Sequence, residues 1–305
     1  MKKKVLVIGG AGFLGNNLCH YLVKRNYEVY CFDLVNPLCQ SDIHYIRGDF
    51  FDDTDLKKSI ADKDCVVHAV STVNPGNSNV TYMQGYQKDF FQTIKLCDML
   101  RDTGTKLIFI SSGGTVYGNH IEQPINENVL PHPINHYGNI KLSIENAMRA
   151  FNYQMHTNYV IARVSNPYGK GQDYHKGVGF IDAALKNTIN KIPIEIWGDG
   201  QNIRDYIYIE DVCEMLCALI EYKGNEDTFN ISSGIGTSQN QVVDIIKEMG
   251  YFPTVIYKEK RSVDVRKIIL DNKRIQEICN IKLVGLQEGI KKYSQYLEGY
   301  IDGVC

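Results

Sequence analysis

The chain has 305 residues, 44% hydrophobic and 22% charged, enough to build a large core and to add a smaller domain to a main one. Its formal net charge of −2 offers no basic field to a nucleic acid, which excludes that class of partner. Nine cysteines without a CxxC pair suggest neither a disulfide framework nor a zinc site and fit a reduced, cytoplasmic protein; the eight histidines show no metal spacing, so no metal is expected.

The chain opens on MKKKVLVIGGAGFLG, where the apolar run Val5–Ile8 is too short for a signal peptide. No run approaches membrane-spanning length. KVLVI (4–8), EVYCFD (28–33), HYIRG (44–48), CVVHAV (65–70), KLIFIS (106–111) and YVIARV (159–164) read as buried strands. Helix-length segments lie between most of them. One is 13–25; another is 86–102, which places Phe90, Ile94, Cys97 and Met99 on or near one face. Strands spaced by helices predict an α/β fold with a Rossmann-type, doubly wound parallel sheet. After about residue 167 the pattern changes to a glycine-rich loop, NPYGKGQDYHKGVG (166–179), then helices and short strands near 193–197, 228–231 and 254–257. This predicts a smaller mixed α/β substrate domain. The expected division is 1–167, with 205–231 returning to it, against 168–204 and 232–305.

GGAGFLG (9–15) joins the first strand to the first helix. It parses as Gly10-x-Gly12-x-x-Gly15 or as Gly9-x-x-Gly12-x-x-Gly15, with Phe13 and Leu14 before the last glycine. Either way the glycines give a tight turn whose backbone can approach a pyrophosphate and a helix N-terminus that faces negative charge, the mechanics of a dinucleotide site. Asp33 ends the second strand, where a carboxylate accepts hydrogen bonds from adenosine ribose hydroxyls and repels a 2′-phosphate. No Arg or Lys follows in LVNP, so NAD is expected over NADP. His68 reads as a strand residue near the cofactor, not a metal ligand.

Tyr137 and Lys141 stand four apart at the start of a helical stretch. Bringing a phenol from about 10 to about 7 takes roughly 4 kcal/mol of phenolate stabilisation. A lysine one helical turn away supplies part of that through its charge. Beside a nicotinamide, the pair can move a proton while a hydride moves.

GGAGFLG (9–15), RGDFFD (47–52), SSGGTVYG (111–118), YGNIK (137–141), RVSNPYGKG (163–171), WGDGQNIRDYIYIEDV (197–212) and RSVD (261–264) occur in this order. With them the chain resembles, nearly end to end, the extended short-chain dehydrogenase/reductase family, in its nucleotide-sugar branch around UDP-glucose 4-epimerase. The resemblance implies that Tyr137 is the acid/base at the sugar 4-hydroxyl and that Lys141 holds the nicotinamide ribose. It implies Asp49 and Phe50 beside the adenine, Ala69 along the cofactor, and Asn166, Arg204, Arg261 and Asp264 on the nucleotide sugar. It also implies a homodimer through helices near 86–102 and 137–152, and a place in polysaccharide biosynthesis.

There are two departures from the family pattern. Gly113 stands where the family usually has Ser or Thr, leaving Ser112 and Thr115 as the nearest hydroxyls, with Thr115 favoured. Asp89 stands where Asn is common. No carboxylate precedes VYG in Gly113-Gly114-Thr115, unlike the dehydratases and decarboxylases of this branch. The expected reaction is therefore NAD-dependent 4-epimerisation of a nucleotide sugar. The alternatives are a reductase of a nucleotide-linked 4-keto-6-deoxy sugar and a non-catalytic NAD-binding protein.

Overall fold

The computed structural model describes residues 2–35, 42–173, 175, 178–260 and 265–301, without the side chains of the last two. The first half alternates as the sequence predicts: β1 (Lys4–Ile8), α1 (Phe13–Lys24), β2 (Glu28–Asp33), β3 (Ile43–Arg47), α2 (Asp53–Ile60) and β4 (Cys65–His68). There follow α3 (Ser78–Gln84), a π-helical turn Gly85–Phe90, α4 (Phe91–Leu100), β5 (Lys106–Ser112), α5 (His136–Met155) and β6 (Tyr159–Val164). The expected single helix over 86–102 is thus interrupted. Its buried side is Gln92, Thr93, Leu96, Cys97 and Leu100, so of the four residues expected on that face only Cys97 is fully buried.

The second half contains β7 (Asn166–Tyr168), α6 (Phe180–Ile189), β8 (Ile194–Trp197), β9 (Ile203–Tyr208), α7 (Ile209–Glu221) and β10 (Thr228–Ile231). It closes with β11 (Gly236–Ser238), α8 (Gln239–Glu248), β12 (Val255–Lys258), α9 (Lys273–Cys279) and α10 (Leu286–Ile301). A seven-stranded sheet runs in the order β10-β6-β5-β4-β1-β2-β3, every neighbour parallel. The order reverses between β1 and β4, which opens a crevice at the carboxyl ends of these strands. Smaller sheets pair β11-β9-β7 and β12-β8.

Successive strand residues point to opposite faces. Val5 and Val7 therefore pack with Leu18 and Leu22 of α1 and Val212, Leu216 and Leu219 of α7. Leu6 and Ile8 pack on the other face with Leu96 of α4 and Ile140, Ile144 and Met148 of α5. Cys213 is buried in the first of these layers and Cys217 packs against it, as core residues. The smaller sheets, with α6, α8 and α10, enclose a separate core around Tyr168, Leu185, Ile246 and Tyr293.

Candidate active site

The turn after β1 is built for close approach. Gly9 takes φ +82°, and a Cβ on Gly15 would lie 2.2 Å from the Gly9 carbonyl oxygen, so neither position accepts a side chain without rearrangement. Helix α1 begins at Gly12 with no side-chain cap and no acidic residue in its first turn, which leaves its N–H groups and positive dipole end available to an anion. The Asp33 carboxylate accepts from the Ala11 N–H at 3.0 Å, which fixes it at the end of β2.

A cleft of about 300 Å³ runs beside this turn, lined among others by Gly9, Gly12, Asp33, Asp49, Phe50 and Ala69. The Asp49 carboxylate accepts from the Phe51 N–H at 2.9 Å, and the Phe50 ring is buried against His68 at 4.6 Å between centroids. Phe50 therefore forms the floor of the cleft. The uncapped helix end, the glycine turn and a fixed carboxylate together fit the pyrophosphate and ribose of a dinucleotide.

Helix α5 is started by Asn135, whose side chain accepts from the Gly138 N–H at 2.8 Å, and Tyr137 and Lys141 occupy its first turns. Lys141 is buried; its ammonium donates to the Ile110 carbonyl at 3.1 Å and lies 5.6 Å from the Tyr137 ring centroid. Burial is the main cause that pushes the Tyr137 phenol up to about 12, Asp89 adding to it and Ser112 opposing it. Burial also lowers Lys141 to about 8, against the upward pull of Asp89 and then Glu145. Glu145 in turn is held by Arg163 at 2.6 Å and by the Ser111 hydroxyl at 2.6 Å, a buried network beneath the pair.

Of the two nearby hydroxyls, Ser112 opposes the upward push on the Tyr137 phenol, while that of Thr115 is buried without a hydrogen-bond partner. After β5 the chain turns sharply, with Val116 N–H donating to the Ser112 carbonyl at 3.1 Å. The turn packs against the start of α5, where a Cβ on Gly138 would lie 2.6 Å from the Thr115 carbonyl. A Cβ on Gly113 would run into Leu270 at 2.3 Å and the Arg163 carbonyl at 3.1 Å. Only Gly114 leaves room, its nearest neighbours being the Asn166 side-chain amide atoms at 3.9 Å.

Asn166 donates from its side chain to the Asp205 carbonyl at 3.2 Å, and Arg204 donates to the Ile203 carbonyl at 2.9 Å. Sequence reasoning passed over Asp205. Its buried carboxylate accepts from the N–H groups of Ser233, Gly234 and Leu270 and from the Ser233 hydroxyl, tying β9 to two neighbouring segments. Its aspartate type within RDY was the available signal. Another missed contact is Asn17 of α1, whose side chain donates to the Lys170 carbonyl at 2.8 Å and so joins the phosphate-facing helix to the loop after β7. Arg261 and Asp264 lie outside the described residues.

A model of the NAD-dependent epimerase/dehydratase family matches residues 5–232, three quarters of the chain, a span that includes the glycine turn, Asp33, Tyr137 and Lys141. The chain belongs to this family. Its NAD dependence accounts for the glycine turn and Asp33, and its fold is the doubly wound sheet described above. Among relatives of this NAD-dependent family, a Methanocaldococcus jannaschii protein provisionally named as a UDP-glucose 4-epimerase is 33% identical over 96% of this chain and 98% of its own. The dTDP-4-dehydro-6-deoxyglucose reductase of Escherichia coli is 29% identical over 95% and 96%. The crystal structure of Thermotoga maritima UDP-glucose 4-epimerase with UDP-glucose matches with a TM-score of 0.91 at 29% identity, covering 98% of this chain and 99% of that one.

Proposed function

We propose that the protein is an NAD-dependent nucleotide-sugar 4-epimerase, an isomerase of the UDP-glucose/UDP-galactose type. The observation that supports this reading is the Lys141 ammonium 5.6 Å from the Tyr137 ring centroid, with Ser112 acting on the phenol and no carboxylate in the turn that follows Ser112. NAD supplies reversible hydride acceptance at C4 of the sugar. Tyr137 takes the proton of the 4-hydroxyl and later returns it, Ser112 donates to the same oxygen, and Lys141 holds the nicotinamide ribose and favours the phenolate. Thr115, its hydroxyl buried without a partner, is the second candidate for that donor. Gly114 and Asn166 border the open space in which the oxidised sugar turns its other face. Asn166 and Arg204 hold the diphosphate region, a role that Arg261 and Asp264 are proposed to share. Gly9, Gly12, Phe13, Leu14, Gly15, Asp33, Asp49, Phe50 and Ala69 are the proposed NAD contacts.

Residues 1–167 with 205–231 are the proposed cofactor domain, and 168–204 with 232–305 the substrate domain. A homodimer is proposed through the helices near 86–102 and 137–152, where α4 and α5 expose Phe91, Tyr153 and Met155. A cytoplasmic location, supplying sugars for polysaccharide biosynthesis, is supported by the seven described cysteines, all unpaired. No described helix is long and apolar enough to cross a membrane.

The deciding experiment is proton NMR of the anomeric region with UDP-glucose, and separately UDP-N-acetylglucosamine, without added reductant. A C4-epimer signal growing to equilibrium is expected with one of them. Unchanged spectra with both, together with consumption of NAD(P)H on a nucleotide-linked 4-keto-6-deoxy sugar, would favour the reductase reading that the Escherichia coli relative supports.

A further inference from the structure

The π-helical turn Gly85–Phe90 carries a carboxylate at the back of the catalytic pair. Asp89 is 5% exposed. It accepts from the Ser71 hydroxyl at 2.7 Å and from the Thr72 N–H at 2.8 and 3.0 Å to its two oxygens. Ser71 lines the NAD cleft. The carboxylate thus takes its hydrogen bonds from the Ser71 hydroxyl and the Thr72 N–H, an arrangement that suits an anion. The Ser71 hydroxyl also lies 2.8 Å from the Val73 carbonyl, so beside an amide it would donate there and accept from the NH₂. The π-turn itself packs on α5, where a Cβ on Gly85 would lie 2.5 Å from Ile140 Cδ1. Such turns concentrate at functional sites.

The groups facing Asp89 are few. From α5 come Tyr137 and Lys141, with Glu145 a turn beyond acting on the same lysine. From β4, His68 reaches the Asp89 carbonyl through the Thr93 hydroxyl, at 2.9 and 2.6 Å. The neighbouring Lys88 turns away over the Phe51 ring at 5.4 Å. Among the described residues no cation lies within ion-pair distance of the carboxylate, so its field falls on the pair across a low-dielectric gap.

We propose that Asp89 is a positioning residue for the reaction, one that pins the Ser71–Thr72 turn to the cofactor cleft and sets the pH range in which Tyr137 is a neutral acid and Lys141 a cation. The proposal rests on Tyr137 and Lys141 being the reacting pair, and it assigns the acid at this position a charge function that an asparagine lacks. Negative charge opposes the phenolate and supports the ammonium, so both groups titrate higher with Asp89 than without it. At rest the phenol keeps its proton, and it ionises only when further positive charge arrives beside it.

The test compares wild type with Asp89→Asn and Asp89→Ser, both NAD-loaded. One readout is the pH profile of kcat/KM. The other is the ultraviolet difference titration of Tyr137, with Tyr137→Phe as the blank, which requires no turnover. Both variants are expected to move the bell and the tyrosine titration to lower pH by about one unit. Curves superimposable on wild type, or moved upward, would overturn the proposal. Loss of folding in both variants would do so too, by making Asp89 a purely structural residue. A shifted Tyr137 titration in an enzyme that epimerises no nucleotide sugar would uphold the role of Asp89 while refuting the proposed reaction.

Discussion

At the scale of single residues, the division of labour around Tyr137 makes sharp predictions. Tyr137→Phe should leave NAD bound and abolish turnover, measured as NAD content after gel filtration and as epimer formed. Ser112→Ala should lower kcat by about 10²-fold, in keeping with a lost proton-transfer partner, while Thr115→Val should leave kcat within a few-fold. Equal losses from both would show that the hydroxyls share the task. The tyrosine and lysine were legible because their spacing in a helix is itself the chemistry. The choice of hydroxyl was not legible. It depends on how tightly the chain turns after β5, and SSGGT contains two serines and a threonine whose directions only the turn decides.

At the scale of elements, the junction between β5 and the strap near residue 270 is closely fitted. Gly113 has no room for a side chain because Leu270, fully buried, occupies the space. Gly113→Ala should therefore cost about 1–3 kcal/mol by overpacking, read as a lower denaturant midpoint, and adding Leu270→Ala should recover part of that loss. An unaltered midpoint for the single variant would contradict the packing. Strands and the first helix were legible to within a residue or two, because long apolar runs alternate cleanly with amphipathic ones. The break at Gly85–Phe90 was hidden by its own geometry. A π-turn inserts a residue and rotates the following face by roughly a quarter turn, so a straight helical count through 86–102 selects the wrong side chains. That same break is what brings Asp89 to Ser71.

At the scale of the whole molecule, stability and pH are linked through groups the reaction does not use. His68 is buried as the neutral ring, its pKa lowered to about 3 by desolvation and then by the Lys141 charge. The unfolded chain, with its histidine near 6.5, binds the proton more readily. Its contribution is therefore complete above about 6.5 and is lost as pH falls toward 3, at about 1.4 kcal/mol per pH unit. Asp205 acts with the opposite sign. Burial raises it to about 6, so it favours the fold below the ordinary carboxylate range and less so as pH rises through 6. His68→Gln should reduce the stability difference between pH 7 and pH 4 by about 3 kcal/mol, measured by urea unfolding at each pH. An unchanged difference would mean that the ring is not held neutral. The alternation of strands and helices that builds the large parallel sheet could be read from the sequence. The pairings β11-β9-β7 and β12-β8 could not, since three- and four-residue strands carry too little periodicity to name their partners.

The side chain of Asn17 lies one turn inside α1, yet it closes on the Lys170 carbonyl in the glycine-rich loop after β7. Anyone redesigning specificity by grafting that loop from a relative would be cutting one half of a matched joint. A chimera keeping Asn17 under a foreign loop, or the reverse, inherits a mismatch at the cofactor's own helix, and the natural unit of transplantation is the loop together with position 17.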